Sequence, residues 1–270
     1  MDYSHILNNA SRIAQQAGVI LRTQFSQPVK EIIKSSAIDI VTETDKEAEA
    51  FITRELLRLY PEHHLVGEEG GGQGAALESA TYHWYIDPID GTTNFANGIP
   101  QFCVSLAMTD ANRDPLIAVI YDPMLDELYT AIKGEGAYRN GQSLQVTHKD
   151  TLLQAVIGSG FPYTKHTDPD NNTAQWAAFT RRVRGIRRMG SAALDLAYVA
   201  AGRLDGYWER SLNPWDAMAG MLLVREAGGT ITDYEGGNTP QHDPRGRYVA
   251  SNGHLHQQML DILNADYDFS

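Results

Sequence analysis

The stretch Trp84-Tyr85-Ile86-Asp87-Pro88-Ile89-Asp90-Gly91-Thr92-Thr93-Asn94-Phe95 constrains this chain more than any other. It predicts a short apolar strand ending in two carboxylates three residues apart, with Pro88 between them and a Gly-Thr-Thr turn directly after. Pro88 fixes its own φ and biases Asp87 toward an extended backbone. The chain then leaves the strand in one stiff geometry, with Asp87 and Asp90 projecting from the same end. Close carboxylates repel unless they share a proton or face a cation. Hard oxygen ligands on a rigid loop suit Mg²⁺, which takes a few carboxylates plus phosphate oxygens of a substrate. Gly91, Thr92 and Thr93 add backbone N–H groups and hydroxyls where an anion docks. The segment is compatible with a metal-assisted phosphate site and with a plain strand running into an Asp-Gly turn.

Two more segments repeat the theme. Leu65-Val66-Gly67-Glu68-Glu69-Gly70-Gly71-Gly72 is another apolar strand end that delivers acids into a glycine-rich loop. Asn213-Pro214-Trp215-Asp216 precedes an apolar helical pattern from Ala217 to Ala227, closed by Gly228-Gly229. Asp216 lies where an N-cap would, so it can serve the helix, a ligand set, or both. Glu68 alone reads equally as a solvated acid; the inference comes from three acidic element ends in one acidic chain.

Gly67-Glu68-Glu69, Asp87-Pro88-Ile89-Asp90-Gly91-Thr92, and Trp215-Asp216 with Glu226-Ala227-Gly228-Gly229 resemble the signatures of the inositol monophosphatase family, in the same order and over residues 5 to 260. The resemblance implies a lithium-sensitive, Mg²⁺-dependent phosphatase that commonly dimerises, with a layered α/β/α/β/α fold. Its N-terminal α+β half (1–146) would carry most metal ligands, and its C-terminal α/β half (147–270) the substrate contacts and the last ligand. By the same resemblance, Glu68, Asp87 and the Ile89 carbonyl bind a first Mg²⁺. Asp87, Asp90 and Asp216 bind a second, and Glu68 with water holds a third. Gly91 and Thr92 hold the phosphate, and Asp45 accepts a hydrogen bond from the Thr92 hydroxyl, a pair that orients the attacking water. Gly190, Ser191, Ala192 and Glu209 match positions that meet the hydroxyls of the inositol ring. A carboxylate such as Glu209 accepts hydrogen bonds from vicinal hydroxyls, or is a solvated acid after Tyr207-Trp208. The implied substrate is inositol 1-phosphate, with histidinol phosphate and fructose 1,6-bisphosphate as the alternatives. Phosphate monoesters hydrolyse so slowly uncatalysed that the barrier must fall by about 20 kcal/mol. Two metal ions answer this, one acidifying the attacking water and the other stabilising the leaving oxygen.

Composition fits that scale. A chain of 270 residues buries a large core, as one domain or two packed halves. Net charge −12 argues against general affinity for nucleic acid or anionic membranes and leaves phosphate attraction to local charge. Cys103 is the only cysteine, so no intrachain disulfide is possible, as in a reducing cytoplasm. No basic leader follows Met1 and no apolar run reaches membrane-span length, so the chain is read as cytoplasmic.

Ile6, Ala10, Ile13, Ala17, Ile20 and Leu21 predict a first helix, ended by Pro28. A short strand follows at Ile38–Val41, then a helix with Thr44 and Glu47 as its capping box and Asp45 in its first turn. Strands are expected at 102–108, 116–121 and 127–132, with hairpin material at Gly134, Gly136 and Asn140-Gly141. The second half predicts strands at 155–158, 204–208, 230–232 and 248–250. Helices are expected there at 172–183, 192–201, 215–227 and 254–263, an α/β alternation. Arg181-Arg182-Val183-Arg184-Gly185-Ile186-Arg187-Arg188 packs five arginines into eight residues. The run suits a dimer interface or pairing with the surplus acids better than RNA, since no aromatic residue interleaves for stacking. His63-His64 and His254-x-His256, without nearby cysteines, receive no metal role.

Overall fold

Apolar residues at helical spacing make α1 (Tyr3–Gln24), which buries Ile6, Ala10, Ile13, Ala17 and Leu21 and is N-capped by Asp2. The computed structural model describes residues 2–25, 27, 31–33 and 40–265. Pro28 and the first half of the strand expected at 38–41 lie outside them. Strands β1 (Glu31–Ile33) and β2 (Ile40–Thr42) form an antiparallel ribbon. Helix α2 (Glu43–Leu59) starts earlier than expected, because Thr42, not Thr44, holds the extended N-cap backbone (φ −113°, ψ 164°). The short side chain of Asp45, not that of Glu47, reaches back to close the capping box.

An eight-stranded sheet follows: β3 (His64–Gly67), β4 (Gly71–Gly74), β5 (Tyr82–Asp90), β6 (Cys103–Asp110), β7 (Pro115–Asp122), β8 (Glu127–Ile132), β9 (Gly136–Arg139) and β10 (Gln142–Ser143). The short helix α3 (Thr92–Ala96) leaves the end of β5. Strand order is β10-β9-β8-β7-β6-β5-β3-β4, antiparallel throughout except for β3 beside β5. The glycine run expected as a loop is thus in part an edge strand, with Gly71–Gly74 paired to β3. Asn140 and Gly141 both take positive φ (49° and 77°), as the tight hairpin between β9 and β10 demands.

The remaining chain builds a five-stranded sheet from β11 (Val156–Ser159), β12 (Gly185–Arg187), β13 (Gly206–Glu209), β14 (Thr230–Thr232) and β15 (Tyr248–Ser251), in order β12-β11-β13-β15-β14. Between them run α4 (Thr173–Thr180), α5 (Ala192–Ala200) and α6 (Pro214–Glu226), and α7 (His256–Leu263) closes the set. Helix α4 is shorter than the expected 172–183, because the chain turns at Arg181 and enters β12, a strand hidden in the arginine run.

Alternation along the strands stacks the layers. Trp84 and Ile86 of β5 pack with Ile117 and Val119 of β7 against α1 and α2. Tyr85, Ala118 and Ile120 face the other way, onto α5 and α6. Tyr207 and Ala250 of the second sheet meet the same two helices, while Trp208 and Val249 face outward onto α4 and α7. The order is helix, sheet, helix, sheet, helix. Strand β7 is buried along its whole length, as a central strand covered on both faces must be. Each such Ile or Val contributes about 1.5–3 kcal/mol on burial.

Candidate active site

The parallel strands end on one side, and the acids gather there. Asp87 and Asp90 are three residues apart, so a regular strand would send them to opposite faces. The register prevents this. Asp87 pairs with Ser105 and Asp90 with Cys103, which leaves one extra residue on β5, a bulge at Pro88-Ile89. Pro88 has no N–H to lose from the ladder, which suits it to that position. Asp87 accepts the Ile89 N–H at 3.0 Å. Gly91 then turns at φ 106°, where a Cβ would sit 2.9 Å from the Gln101 carbonyl oxygen.

Glu68 follows β3 directly, next to Asp87 across the parallel pair. Its turn is held by Glu49, a buried acid of α2 that accepts the N–H groups of Glu69 (2.8 Å) and Gly70 (2.5 Å). Gly67 has no side chain because one would collide with that carboxylate. Asp45, fully buried one turn earlier, uses its two oxygens differently. Oδ2 accepts the Thr42 N–H (2.8 Å) and hydroxyl (2.5 Å), while Oδ1 lies 3.0 Å from the Thr92 hydroxyl. That hydroxyl is also 3.0 Å from the Ile89 carbonyl oxygen, so its one proton has two acceptors. Burial raises the Asp45 pKa against the pull of Thr42 and Thr92.

The C-terminal half completes the arrangement. Asp216 is the third residue of α6, not its N-cap; Asn213 caps the helix, Pro214 opens it, and Asp216 accepts the Asn213 N–H at 2.7 Å. Ser191 caps α5 and donates its hydroxyl to Asp90 at 2.6 Å, and the Ala193 N–H donates to the same oxygen at 2.6 Å. Ser191 therefore stands behind Asp90, whereas Gly190 and Ala192 line the open cavity. Glu209, at the end of β13, is buried and accepts the Tyr207 hydroxyl.

Glu68, Asp87, Ile89, Asp90, Gly91, Thr92, Gly190, Ala192, Glu209 and Asp216 line one cavity of about 90 Å³, while Asp45 and Ser191 stand behind Thr92 and Asp90 without lining it. Five acids face it against two arginines, Arg188 and Arg210. Burial first, then repulsion from Glu68 and the neighbouring aspartates, drives the Asp87 and Asp216 pKa values well above the carboxylate range. Burial pushes Asp90 to about 6 against its hydrogen bonds from Ser191 and Ala193, and Glu209 to about 7. Such uncompensated negative charge fits a bound cation. Among the described residues no group of three or more His, Cys, Asp or Glu side chains stands arranged to hold a metal ion. An open, oxygen-only set of this kind suits Mg²⁺, which keeps water and phosphate in its shell, better than a zinc cage.

Sequence reasoning missed Glu49, whose signal was an acid on the apolar face of α2, and the pocket wall Phe161, Tyr163, Arg188 and Arg210, which carries no motif. Arg210 is itself ion-paired with Asp170. The five arginines at 181–188 form no close ion pairs among the described residues, and of the run only Arg188 pulls, by its charge, against the raised pKa values of buried Glu209 and Asp195. His63 is buried and accepts the Trp84 indole N–H at 3.0 Å; His256 bonds Ser251 and Thr232, both structural uses.

The family model for the inositol monophosphatase family matches residues 2–266. The inositol-1-monophosphatase of Rhizobium meliloti is 41% identical over 269 residues, 97% of each chain. A Pseudomonas aeruginosa protein named Nus factor SuhB is 42% identical over 261 residues, 96% of this chain and 95% of its own. The solved structure of an inositol monophosphatase from Anabaena superposes with TM-score 0.87 at 37% identity, over 97% of this chain and 96% of that one.

Proposed function

The chain belongs to the inositol monophosphatase family and is a phosphoric monoester hydrolase; on that premise we propose that it hydrolyses a phosphorylated polyol, inositol 1-phosphate first, by direct attack of water with Mg²⁺ bound among its acids. The observation that carries this is the convergence of Glu68, Asp87, Asp90 and Asp216 from three separate segments on one cavity. Those four carboxylates and the Ile89 carbonyl would hold two to three Mg²⁺. Bound there, the ions would offset the phosphate dianion and acidify water.

The protein's own part is positioning and fixed charge. The Thr92–Asp45 pair supplies an oriented hydroxyl backed by a buried carboxylate, suited to hold the nucleophilic water and take up its proton. Gly91 and Thr92 present the turn where the phosphate docks. Ser191 and Ala193 hold Asp90 in one orientation through two short hydrogen bonds. Glu209, oriented by Tyr207, offers its carboxylate to ring hydroxyls. The halves 1–146 and 147–270 would then divide the work between metal binding and substrate reading.

Among the described residues no helix is long and apolar enough to cross a membrane, and Cys103 is buried, which suits a cytoplasmic enzyme. Phosphate release from inositol 1-phosphate, histidinol phosphate and fructose 1,6-bisphosphate, with Mg²⁺, with EDTA, and with Mg²⁺ plus Li⁺, tests the reading. Turnover that persists in EDTA would refute the metal assignment. Preference for histidinol phosphate would refute the role of Glu209.

The arginine run 181–188, which passes from the end of α4 through the edge strand β12, together with the name of the Pseudomonas relative, favours a second reading, a partner-binding role beside catalysis. RNA binding with a steep salt dependence, lost in an Arg181→Ala, Arg182→Ala double variant, would support it; salt-independent or absent binding would remove it.

A further inference from the structure

The acid-lined cavity has two kinds of wall. Element ends supply its carboxylates, and the segment Phe161-Pro162-Tyr163 supplies an apolar face. The two meet at Gly160, where a Cβ would fall on the Glu209 carboxylate, so the apolar segment starts directly beside that acid. Small-molecule sites take this mixed form, with apolar surface for contact and a few polar groups for orientation. Tyr163 is the open member of the wall. It is 55% exposed, and the only other strongly exposed Phe, Tyr or Trp among the described residues is Tyr138, at 38%.

The wall is built before any ligand arrives. Pro162 fixes its own φ and biases Phe161 toward extended backbone. The Lys165 N–H donates to the Pro162 carbonyl at 3.0 Å, which closes a turn with Tyr163 and Thr164 at its corners. Behind it the Phe161 ring packs on Trp176 with centroids 5.3 Å apart, and Trp176 on Trp208 of β13 at 6.3 Å. At the loop's far end the buried Asn172 accepts the Trp208 indole N–H at 2.6 Å and donates to the Ser159 hydroxyl at 3.0 Å. The segment is thus fixed to the second sheet, which limits the ordering cost of binding. A cavity of about 90 Å³ that takes metal ions and a phosphate leaves the rest of the substrate at its mouth. Tyr163 also lines the adjoining cavity of about 510 Å³, and so stands at that mouth.

We propose that Tyr163 is a specificity-determining residue, an aromatic platform for the C–H face of a cyclic polyol whose hydroxyls Glu209 reads from the edge. The proposal rests on the polyol-phosphatase reading and specifies how that site selects a ring. A cyclitol with mostly equatorial hydroxyls gathers its axial C–H bonds on the two ring faces. Those hydrogens carry partial positive charge and suit the negative π face of tyrosine. An acyclic polyol presents no such face, so the platform favours rings over chains that carry the same phosphate and the same hydroxyl chemistry.

The test compares inositol 1-phosphate with glycerol 2-phosphate, hydrolysed in the presence of Mg²⁺. Tyr163→Ala is expected to raise KM for inositol 1-phosphate about tenfold with kcat nearly retained, the signature of lost uniform binding, and to move KM for glycerol 2-phosphate less than about twofold. Tyr163→Phe should behave as wild type on both esters. Equal effects of Tyr163→Ala on the two esters, no effect on either, or a Tyr163→Phe variant as impaired as Tyr163→Ala overturns the proposal. Saturation-transfer difference NMR with free myo-inositol reads the platform without turnover: irradiating the protein's aromatic protons should mark the ring C–H protons in the wild type and much less in Tyr163→Ala. Equal transfer in both proteins, or none in the wild type, overturns the platform even where inositol 1-phosphate is turned over. Failure of the phosphatase reading shows differently, as no phosphate release from either ester.

Discussion

Helices α2 and α6 begin alike and end up with different tasks for the same atom. Each carries an aspartate as its third residue, and each aspartate closes a capping box with the backbone behind it. In α2 the remaining oxygen of Asp45 meets a protein hydroxyl, that of Thr92, and every strong valence is used inside the fold. In α6, Asp216 fronts the acid cavity and is repelled by Glu68 and Asp90. One local motif therefore serves a hydrogen-bond relay in one place and unbalanced charge in the other. Capping alone says nothing about which; the neighbours decide.

The sharpest way to separate the two is to neutralise each acid while keeping its cap. Asparagine still accepts the N-cap N–H, so helix stability should move by less than about 1 kcal/mol in both variants. Asp216→Asn is expected to lower kcat/KM on inositol 1-phosphate by on the order of 10³-fold, the scale of losing a fixed charge in a catalytic site. It should also raise the urea midpoint of the metal-free protein, because repulsion is removed along with function. Asp216→Asn with full turnover, or with a lower metal-free midpoint, would break the contrast. Asp45→Asn should cost about 10²-fold in kcat, the weight of one positioned proton acceptor, with the Mg²⁺ requirement unchanged. A shifted Mg²⁺ requirement would place Asp45 with the metal ligands instead.

Much of this was legible in the residues. The Asp87-to-Thr92 segment, the presence of both helices and the regular strands of the first sheet announce themselves by composition and spacing. What stayed hidden was relational. The bulge that turns Asp87 and Asp90 to one face depends on how β5 registers against β6, which no local pattern encodes. The capping boxes sit two and three residues before the expected caps because Thr42 and Asn213, rather than Thr44 and Asp216, keep extended backbone. Strand β12 was missed because arginine and glycine disfavour the assignment, and only pairing with β11 makes it a strand. The pairing of Asp45 with Thr92, across 47 residues, came from family resemblance and was invisible to periodicity.

Glu49 sharpens the comparison one turn further along α2. Its carboxylate fixes the backbone of the turn that carries Glu68, so it acts through that loop and touches no reacting atom. In Glu49→Gln one amide N–H would face a backbone N–H, and the turn should loosen. The Mg²⁺ concentration for half-maximal rate is expected to rise about 10-fold, as when an outer partner of a metal ligand is lost, with saturated kcat nearly retained. A fall in kcat without any change in the Mg²⁺ requirement would assign Glu49 a different role.

The smallest effect is one of pH, and its sign distinguishes buried imidazoles from buried acids. His256 is held neutral by burial, its pKa lowered below the ordinary 6.5. Above 6.5 both folded and unfolded forms are neutral and the group contributes no slope. Below it the unfolded chain takes a proton that the folded one refuses, so stability falls by up to about 1.4 kcal/mol per pH unit until the folded pKa is reached. Asp87 and Asp216, with raised folded pKa values, act in the opposite sense: their cost grows as pH rises through the window above 3.8. Wild type and His256→Gln share those acids, so the difference between their urea midpoints isolates the histidine. That difference should be flat from pH 8 to 6.5 and then move steadily against the wild type down to pH 5. A difference that is constant across the whole range would mean that His256 takes up its proton at the same pH folded and unfolded, and that its hydrogen bonds to Ser251 and Thr232 carry its entire effect.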